Sequence, residues 1–431
     1  MYQYMQSLRN KAYRALRWSE QYTKTDMLYL ARGGFWLNIV TVSNFLSSFL
    51  LLYIFANYLD STTYGTYRYF LSFYAILSVF TLGGFNTAVT RSVARGFEGD
   101  FYRAFRFQFI SASCVSIITM GIALYYLVQG NTLLASGFLI MAFALPLMES
   151  LDLYQGFLNG KRLFKTLAVT NVVSNVVTAT VLLIAVLLNG SVLTILAVYF
   201  ASWIAIKIFF FVRIRKEIAQ DKTSPGFFKL GANFSLVNLA SGIAAYIDRV
   251  LIFHFTGPHE VAVYSFAAAP AEQIKGVFKN LSSLILPKLS ARREQEIMSG
   301  LSQKIFMMAL VITPLIVLYI LVIPTLFSWF FPQYLEAVGF SQIYVISLFG
   351  MLVIPINAAM SAIPKVKSLM LANTISPIIS IPITYILISV FGIWGAVWAK
   401  LATRMILLVL SVAALITGKR DPGVEEVTPS Q

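Results

Sequence analysis

The chain has 431 residues, of which 58% are hydrophobic and only 12% carry a charge, and its formal net charge is +15. This composition excludes a soluble globular protein, because about 25% of the residues of such a domain are charged. The single cysteine excludes an internal disulfide, and the sequence contains no phosphate-binding glycine loop, zinc signature or nucleophile elbow. We therefore expect a membrane protein that has no catalytic residues, no metal, no cofactor and no nucleic-acid partner.

The first 32 residues are basic and lack the apolar core of a cleavable signal peptide. Tyr4, Leu8, Ala12 and Ala15 share one helical face, which is typical of a helix lying on the membrane surface with its cations toward anionic lipids. Residues 1–32 are therefore predicted to form a cytoplasmic, basic, amphipathic N-terminus.

Twelve apolar segments follow, each close to the length of about 20 residues that a helix needs to cross a bilayer. The tenth is the least regular, because Pro355 and Pro364 interrupt it. The segments span residues 33–57, 67–87, 106–128, 133–156, 167–188, 192–212, 230–253, 261–286, 305–327, 341–363, 369–391 and 393–417.

Lysine and arginine are concentrated in every second loop, and this alternation predicts the orientation of the chain. The intervening loops, around Asp60, Gly130, Gly190, Pro258, Glu336 and Gly392, contain no lysine or arginine. Because basic loops remain in the cytoplasm, both termini are predicted to be cytoplasmic. The basic loop residues are Arg91, Arg95, Arg103, Lys161, Arg162, Lys165, Arg213, Arg215, Lys216, Lys222, Lys229, Lys288, Arg292, Arg293, Lys304, Lys365, Lys367, Lys419 and Arg420.

The two halves of the chain resemble each other after a shift of 197 residues. The shift superimposes Tyr67 on Tyr264, Arg91 on Lys288, Arg95 on Arg292, and Lys207 on Arg404. Six spans in each half give both halves the same orientation, related by an axis along the membrane normal. We expect an all-α polytopic fold of two six-helix bundles, 33–213 and 230–417, around a central cationic cavity. A cytoplasmic linker, 214–229, and a cytoplasmic tail, 418–431, complete this model.

Charged residues at membrane depth predict that the cavity is wet and cationic. A charge in the hydrocarbon region costs about 2.5–3.5 kcal/mol on insertion scales, so such residues face a bundle interior or a water-filled cavity. Seven cations occupy such positions: Arg68 at the rim of a loop, and Lys207, Arg249, Lys275, Lys279, Lys400 and Arg404. Only four carboxylates accompany them: Glu149, Asp152, Asp248 and Glu272.

The six cations other than Arg68 are the candidates for binding an anionic cargo. Glu272, Lys275 and Lys279 share one helical face, whereas Asp248 and Arg249 diverge by about 100° and need not both face the cavity. Internal salt bridges or side chains that snorkel toward the helix ends are the alternative reading of these charges. In the absence of a nucleotide-binding motif, an H⁺ or Na⁺ gradient or consumption of the cargo would supply the energy. All four carboxylates are candidates for coupling to such a gradient.

Short motifs throughout the chain resemble those of bacterial polysaccharide-repeat flippases. Residues 58–67, YLDSTTYGTY, resemble the L-G-x-x-x-F-G-x-Y turn after the first helix of that family, with Asp60 in place of its glycine. Residues 81–85, TLGGF, and 91–94, RSVA, resemble the end of the second helix. Further similarities lie at 155–160, QGFLNG, at 246–249, YIDR, at 264–267, YSFA, and at 391–396, FGIWGA.

The family resembled is the O-antigen (Wzx-type) and polysaccharide transporter branch of the multidrug/oligosaccharidyl-lipid/polysaccharide (MOP) exporter superfamily. The resemblance implies two bundles that form a V, with a lateral opening between spans one and eight. It also implies an undecaprenyl-pyrophosphate-linked oligosaccharide as cargo, flipped across the bacterial inner membrane for O-antigen, lipopolysaccharide or exopolysaccharide biosynthesis. Membrane lipids and a polysaccharide polymerase are the expected partners.

Two other functions are weighed against this one. A cation-coupled multidrug exporter of the same superfamily would be expected to have acidic residues in spans one or seven and an apolar aromatic pocket, but span one has no acid. A membrane enzyme that polymerises or ligates oligosaccharides would be expected to have long external loops with catalytic Arg or Asp. Here those loops have about ten residues or fewer and lack Arg, which leaves no room for such a site.

Overall fold

The computed structural model describes residues 27–218, 222–279, 294–363 and 366–417, and within them the regular structure is helical. Residues 1–26 of the predicted basic N-terminus, the predicted tail 418–431 and the basic loop residues Lys288, Arg292, Arg293 and Lys365 lie outside the described residues, whereas residues 27–32 already belong to the first helix. The N-terminal half comprises α1 Met27–Tyr58, α2 Ser61–Phe80, α3 Phe85–Ala94, α4 Asp100–Val128, α5 Thr132–Leu151, α6 Leu153–Gly160, α7 Phe164–Leu188 and α8 Val192–Arg215. The C-terminal half comprises α9 Phe227–Phe255, α10 Pro258–Lys279, α11 Glu294–Ser299, α12 Leu301–Phe330, α13 Ala337–Tyr344, α14 Val353–Ala362 and α15 Val366–Thr417.

The helices have the length and apolarity of membrane spans. Among the described residues, nine helices could cross a bilayer, or ten if the bent pair α2 and α3 forms one span. Helix α15 contains the last two predicted segments, and the charged helix α10 is not among the nine. Each of the twelve predicted segments, as far as its residues are described, lies within helical elements. The predicted all-α membrane fold is therefore confirmed.

Helix α15 reverses direction at Gly392, where the sequence predicts the boundary between the last two segments. Gly392 has φ 57° and ψ −130°, in the left-handed half of the map that favours glycine. A Cβ on Gly395 would lie only 1.9 Å from the carbonyl oxygen of Leu387, an approach that a straight helix does not permit. The two arms of α15 therefore form a helical hairpin.

Two predicted spans are less regular than the apolar pattern indicates. The second begins at Ser61, where Asp60 accepts a hydrogen bond of 2.9 Å from the backbone N–H of Thr63 and caps α2. It then bends by 55° between α2 and α3. The tenth contains a 3₁₀ stretch, Val345–Leu352, between α13 and α14. Thr81, at the first break, contacts Glu149, and Ser347, within the 3₁₀ stretch, contacts Arg404.

Helix α2 forms the seam between the halves, because it packs against both α9 and α10. Tyr69 stacks on Phe253 with ring centroids 3.9 Å apart, and Tyr64 contacts Phe266 at 4.9 Å. The closest approach is at Gly65, where a Cβ would lie 1.7 Å from the carbonyl oxygen of Pro258. This packing brings the inner face of α2 beside the charged residues of α9 and α10.

A second contact joins the two halves at the same end of the molecule. Asn57 of α1 donates a hydrogen bond of 3.2 Å to the carbonyl oxygen of Phe330 in α12, and Phe49 contacts Phe330 edge-on at 5.5 Å. The two halves therefore meet through α2 and through α1 at the end that carries the loops predicted to be external. Between these contacts lies a cavity.

Candidate cargo-binding site

The cavity has a volume of about 610 Å³ and lies between the halves, lined by α1, α2, α8, α9, α10 and α12. Most of its lining is apolar or aromatic, including Phe45 and Leu318. Its charged lining residues are Arg68, Arg249 and Glu272. The cavity thus combines an apolar wall, mainly from α1 and α12, with a charged wall from α2, α9 and α10.

Asp248 is the centre of the first cluster behind the charged wall. This carboxylate is 2% exposed and accepts hydrogen bonds from the Tyr264 hydroxyl at 2.7 Å and from Lys400 Nζ at 3.0 Å. Arg249 contacts it through the backbone N–H at 2.9 Å and through Nη1 at 3.5 Å. Asp248 therefore points into the C-terminal half, while Arg249 reaches the cavity, as their divergence along the helix predicts.

Glu272 is the centre of the second cluster. It accepts hydrogen bonds from the Tyr344 hydroxyl at 2.6 Å and from Arg404, and Lys275 Nζ lies 3.3 Å from its other oxygen. Arg404 also donates to the hydroxyl of Ser347, within the 3₁₀ stretch. The helical spacing of Glu272 and Lys275 is visible in the sequence, but the contacts to Tyr344 and Arg404 join distant helices.

Together these clusters contain four cations and two carboxylates, so they keep a surplus of positive charge. The cations are Arg249, Lys275, Lys400 and Arg404. Lys275 is the most accessible, with 46% of its side chain exposed, against 12% for Arg404 and 18% for Lys400. The side chain of Lys279, the sixth predicted cargo ligand, lies outside the described part of the structure.

Arg68 lines the cavity, although the sequence predicts it at the rim of a loop. It lines the cavity on α2, its Nε is buried, and among the described residues neither a hydrogen bond to Nε nor an ion pair to the guanidinium is present. Tyr64, Tyr67, Arg68 and Leu71 all line the cavity, and their i, i+3, i+4, i+7 spacing marks one helical face. That spacing is the signal that could have identified Arg68.

The remaining predicted site residues form a separate cluster in the N-terminal half. Lys207 is 6% exposed, lies 2.8 Å from Asp152 and donates a 2.8 Å hydrogen bond to the carbonyl oxygen of Met148. The structure thus holds Lys207 in an internal pair, away from the cations beside the cavity. Glu149 accepts a hydrogen bond of 2.6 Å from the Tyr74 hydroxyl.

The two clusters around Glu149 and Glu272 occupy corresponding places in the two halves. A tyrosine–glutamate hydrogen bond joins α2 to α5 in one half and α10 to α13 in the other. After the shift of 197 residues, the members of these bonds coincide to within two positions, with tyrosine and glutamate exchanged. This correspondence supports a repeat of two related halves.

No group of three or more His, Cys, Asp or Glu side chains suited to a metal ion occurs among the described residues. The two histidines instead contact neighbours at the seam. His259 Nδ1 lies 2.7 Å from the Ser61 hydroxyl and its Nε2 lies 3.0 Å from Glu336, while His254 Nε2 lies 3.3 Å from the Tyr69 hydroxyl. The surplus of cations beside the cavity is the charge that the site can offer to an anionic group.

The fold is similar to those of solved MOP transporters. The lipid II flippase MurJ, in an inward closed conformation, matches with a TM-score of 0.68 and 15% identity over 88% of this chain and 87% of that one. A MOP superfamily transporter from Pyrococcus furiosus matches with a TM-score of 0.60 and 12% identity over 90% of this chain and 94% of that one. A eukaryotic MATE transporter matches with a TM-score of 0.61 and 12% identity over 91% and 97%.

Sequence comparison gives a narrower assignment. No curated protein matches the chain. The family model described as polysaccharide biosynthesis protein matches residues 30–291, which is more than half of the sequence. The match includes the seam helix α2, the cluster of Glu149, Asp152 and Lys207, and the helices α9 and α10. The chain therefore belongs to the polysaccharide biosynthesis protein family and has the fold of the MOP superfamily.

Proposed function

We propose that the protein is a flippase that moves an undecaprenyl-pyrophosphate-linked oligosaccharide from the cytoplasmic to the periplasmic leaflet by alternating access. The observation that carries this proposal is the surplus of cations beside the cavity between the halves. A pyrophosphate bears several negative charges that must not meet hydrocarbon, and guanidinium and ammonium groups are its natural partners. Arg68 and Arg249 in the wall, with Lys275 and Arg404 beside them, offer such groups.

The apolar wall of the cavity suits the lipid part of the same cargo. Leu318 of α12 lines the cavity and also belongs to an open apolar groove on the outer face of that helix, together with Leu310 and Leu321. An amphipathic cargo could keep its polyprenyl chain against such a surface while its head group contacts the cations. The lateral opening between α1 and α10, both of which line the cavity, is part of the proposal.

The proposed location is the bacterial inner membrane, with both termini in the cytoplasm and with surface polysaccharide as the product of the pathway. Reporter fusions after Asp60, Gly190 and Pro258 are expected to be active in the periplasm, and fusions after Arg95, Lys222 and Arg293 in the cytoplasm. The reason is the alternation of basic loops, which remain on the cytoplasmic side. Reversed results at two or more of these six sites would contradict the orientation.

The cargo is tested with a deletion strain and with purified protein. The strain should accumulate undecaprenyl-linked repeat units in the inner leaflet and lose its polymer, with unchanged sensitivity to cationic dyes. In liposomes, the protein should move a labelled undecaprenyl-pyrophosphate-linked monosaccharide across the bilayer. Normal polymer together with new dye sensitivity would contradict the proposal and favour a multidrug exporter. In that case the expected polymerase, which would consume the flipped units, would not be a partner of this protein.

A further inference from the structure

Glu149 differs from the other carboxylates at membrane depth, because it contacts hydroxyl groups rather than a cation. Its Oε1 lies 2.6 Å from the Tyr74 hydroxyl and its Oε2 lies 3.2 Å from Thr81 Oγ1. Among the described residues it forms no ion pair, whereas Asp152, Asp248 and Glu272 each contact a lysine or an arginine. The carboxyl group is also partly buried between α2 and α5.

Among the described protein groups, two hydroxyls lie within hydrogen-bonding distance of the Glu149 carboxyl oxygens. A hydroxyl group has a single hydrogen to donate. The Thr81 hydroxyl lies 2.7 Å from the carbonyl oxygen of Ser78, closer than the 3.2 Å that separates it from Glu149. If the Thr81 hydroxyl donates its hydrogen to the Ser78 carbonyl oxygen, Thr81 Oγ1 and Glu149 Oε2 face each other with no hydrogen between them, unless Glu149 Oε2 itself carries one. A protonated Glu149 would donate this hydrogen to Thr81 and accept one from Tyr74.

The charged and titratable groups around Glu149 do not supply a cation in contact with it. Asp152 follows on its own helix, Tyr74 faces it from α2, and Lys207 and Tyr199 face it from α8. Lys207 is engaged by Asp152 and by the carbonyl oxygen of Met148, each at 2.8 Å. With Glu149 ionised, one lysine would face two carboxylates in a low-dielectric site, which favours protonation of one of them.

The corresponding site in the C-terminal half shows the alternative arrangement. There Arg404, which corresponds to Lys207 after the shift of 197 residues, contacts Glu272 directly. Glu272 also accepts a hydrogen bond from the Tyr344 hydroxyl, as Glu149 does from the Tyr74 hydroxyl. Each half therefore contains a tyrosine, a glutamate and a cation on its last long helix. Among the described residues, this cation forms an ion pair with the glutamate only in the C-terminal half.

We propose that Glu149 is a proton-binding site, occupied in the conformation described here. When Glu149 releases its proton, the carboxylate would attract Lys207 from Asp152 and reproduce the arrangement of Arg404 and Glu272. That exchange would change the contact between α5 and the seam helix α2. Its role in transport, as the point where a proton gradient acts on the N-terminal half, rests on the proposed flippase function, whereas proton binding itself does not.

Proton binding is tested on the purified protein by infrared difference spectroscopy during a pH titration. At neutral pH the wild-type protein should show the carbonyl band of a buried protonated carboxyl group. This band should be absent from Glu149→Gln, reduced in Asp152→Asn, because Lys207 is then released to pair with Glu149, and shifted in Tyr74→Phe, because Tyr74 donates to the carboxyl group. A band that persists in Glu149→Gln, or the absence of the band from the wild type, would overturn the proposal.

The link to transport is tested with the labelled undecaprenyl-pyrophosphate-linked monosaccharide in liposomes. An imposed pH gradient should change the wild-type rate several-fold and should leave the rate of Glu149→Gln unchanged. An equal response in both proteins would overturn the coupling role. A wild-type protein that shows the infrared band but moves no cargo would contradict the proposed function while supporting the proton site.

Discussion

Replacing Asp248 by alanine is expected to lower the free energy of unfolding by about 3–5 kcal/mol, the usual cost of leaving a buried charge without its partner. Asp248 is 2% exposed and is the carboxylate that contacts both Lys400 and Arg249. Its removal leaves these cations and the Tyr264 hydroxyl without their acceptor. The loss is measured as a lower unfolding temperature of the detergent-solubilised protein.

The control is Glu336→Gln, which alters the contact between Glu336 and His259, whose side chains are 51% and 45% exposed. Exposed pairs contribute about 0–1 kcal/mol, so this variant should unfold close to the wild-type temperature. The double variant Asp248→Leu with Lys400→Met should regain part of the loss, because it removes a buried pair together. Equal, small effects of Asp248→Ala and Glu336→Gln would contradict the central position of Asp248 in the fold.

Replacing Lys275 by glutamate is expected to stop polysaccharide assembly while the protein still inserts. Lys275 is the most exposed of the four cations, and Glu272 keeps Arg404 and Tyr344 as partners without it. Its stability cost should therefore be small, but the cargo loses a charged hydrogen bond. Such a bond contributes about 1.5–3 kcal/mol, so cargo affinity should fall roughly 10- to 100-fold even before repulsion is added.

Cargo binding and transport are measured in liposomes, and surface polymer is measured in complemented cells at matched membrane levels of protein. Lys275→Arg should be tolerated better than Lys275→Ala, because it keeps the charge. The matched control is Arg215→Glu, the same reversal at an exposed position at the cytoplasmic end of α8. Full activity of Lys275→Glu at normal expression would remove Lys275 from the cargo site.

The charged residues show where sequence reasoning succeeded and where it could not. Glu272 and Lys275 lie on one face of a helix, and their contact follows from local spacing. Asp248 and Lys400 are 152 positions apart, and Glu272 and Arg404 are 132 positions apart. No property of the separate helices selects these partners. Arg68 was placed at the rim of a loop; the spacing of its helical face is visible in the sequence, but its position in the cavity wall depends on where α9, α10 and α12 lie.

The order and type of the elements followed from the amino-acid sequence alone. Apolar segments of membrane length and the break at Gly392 are local properties, and hydrocarbon permits few backbone structures other than helices. The pairing of charges, the seam at Gly65 and the contact of Glu149 with the Tyr74 hydroxyl emerged only from the packed helices. They depend on which side chains meet across distant segments, because a charge in a dry interior is stabilised by whatever neighbour the packing brings within hydrogen-bonding distance.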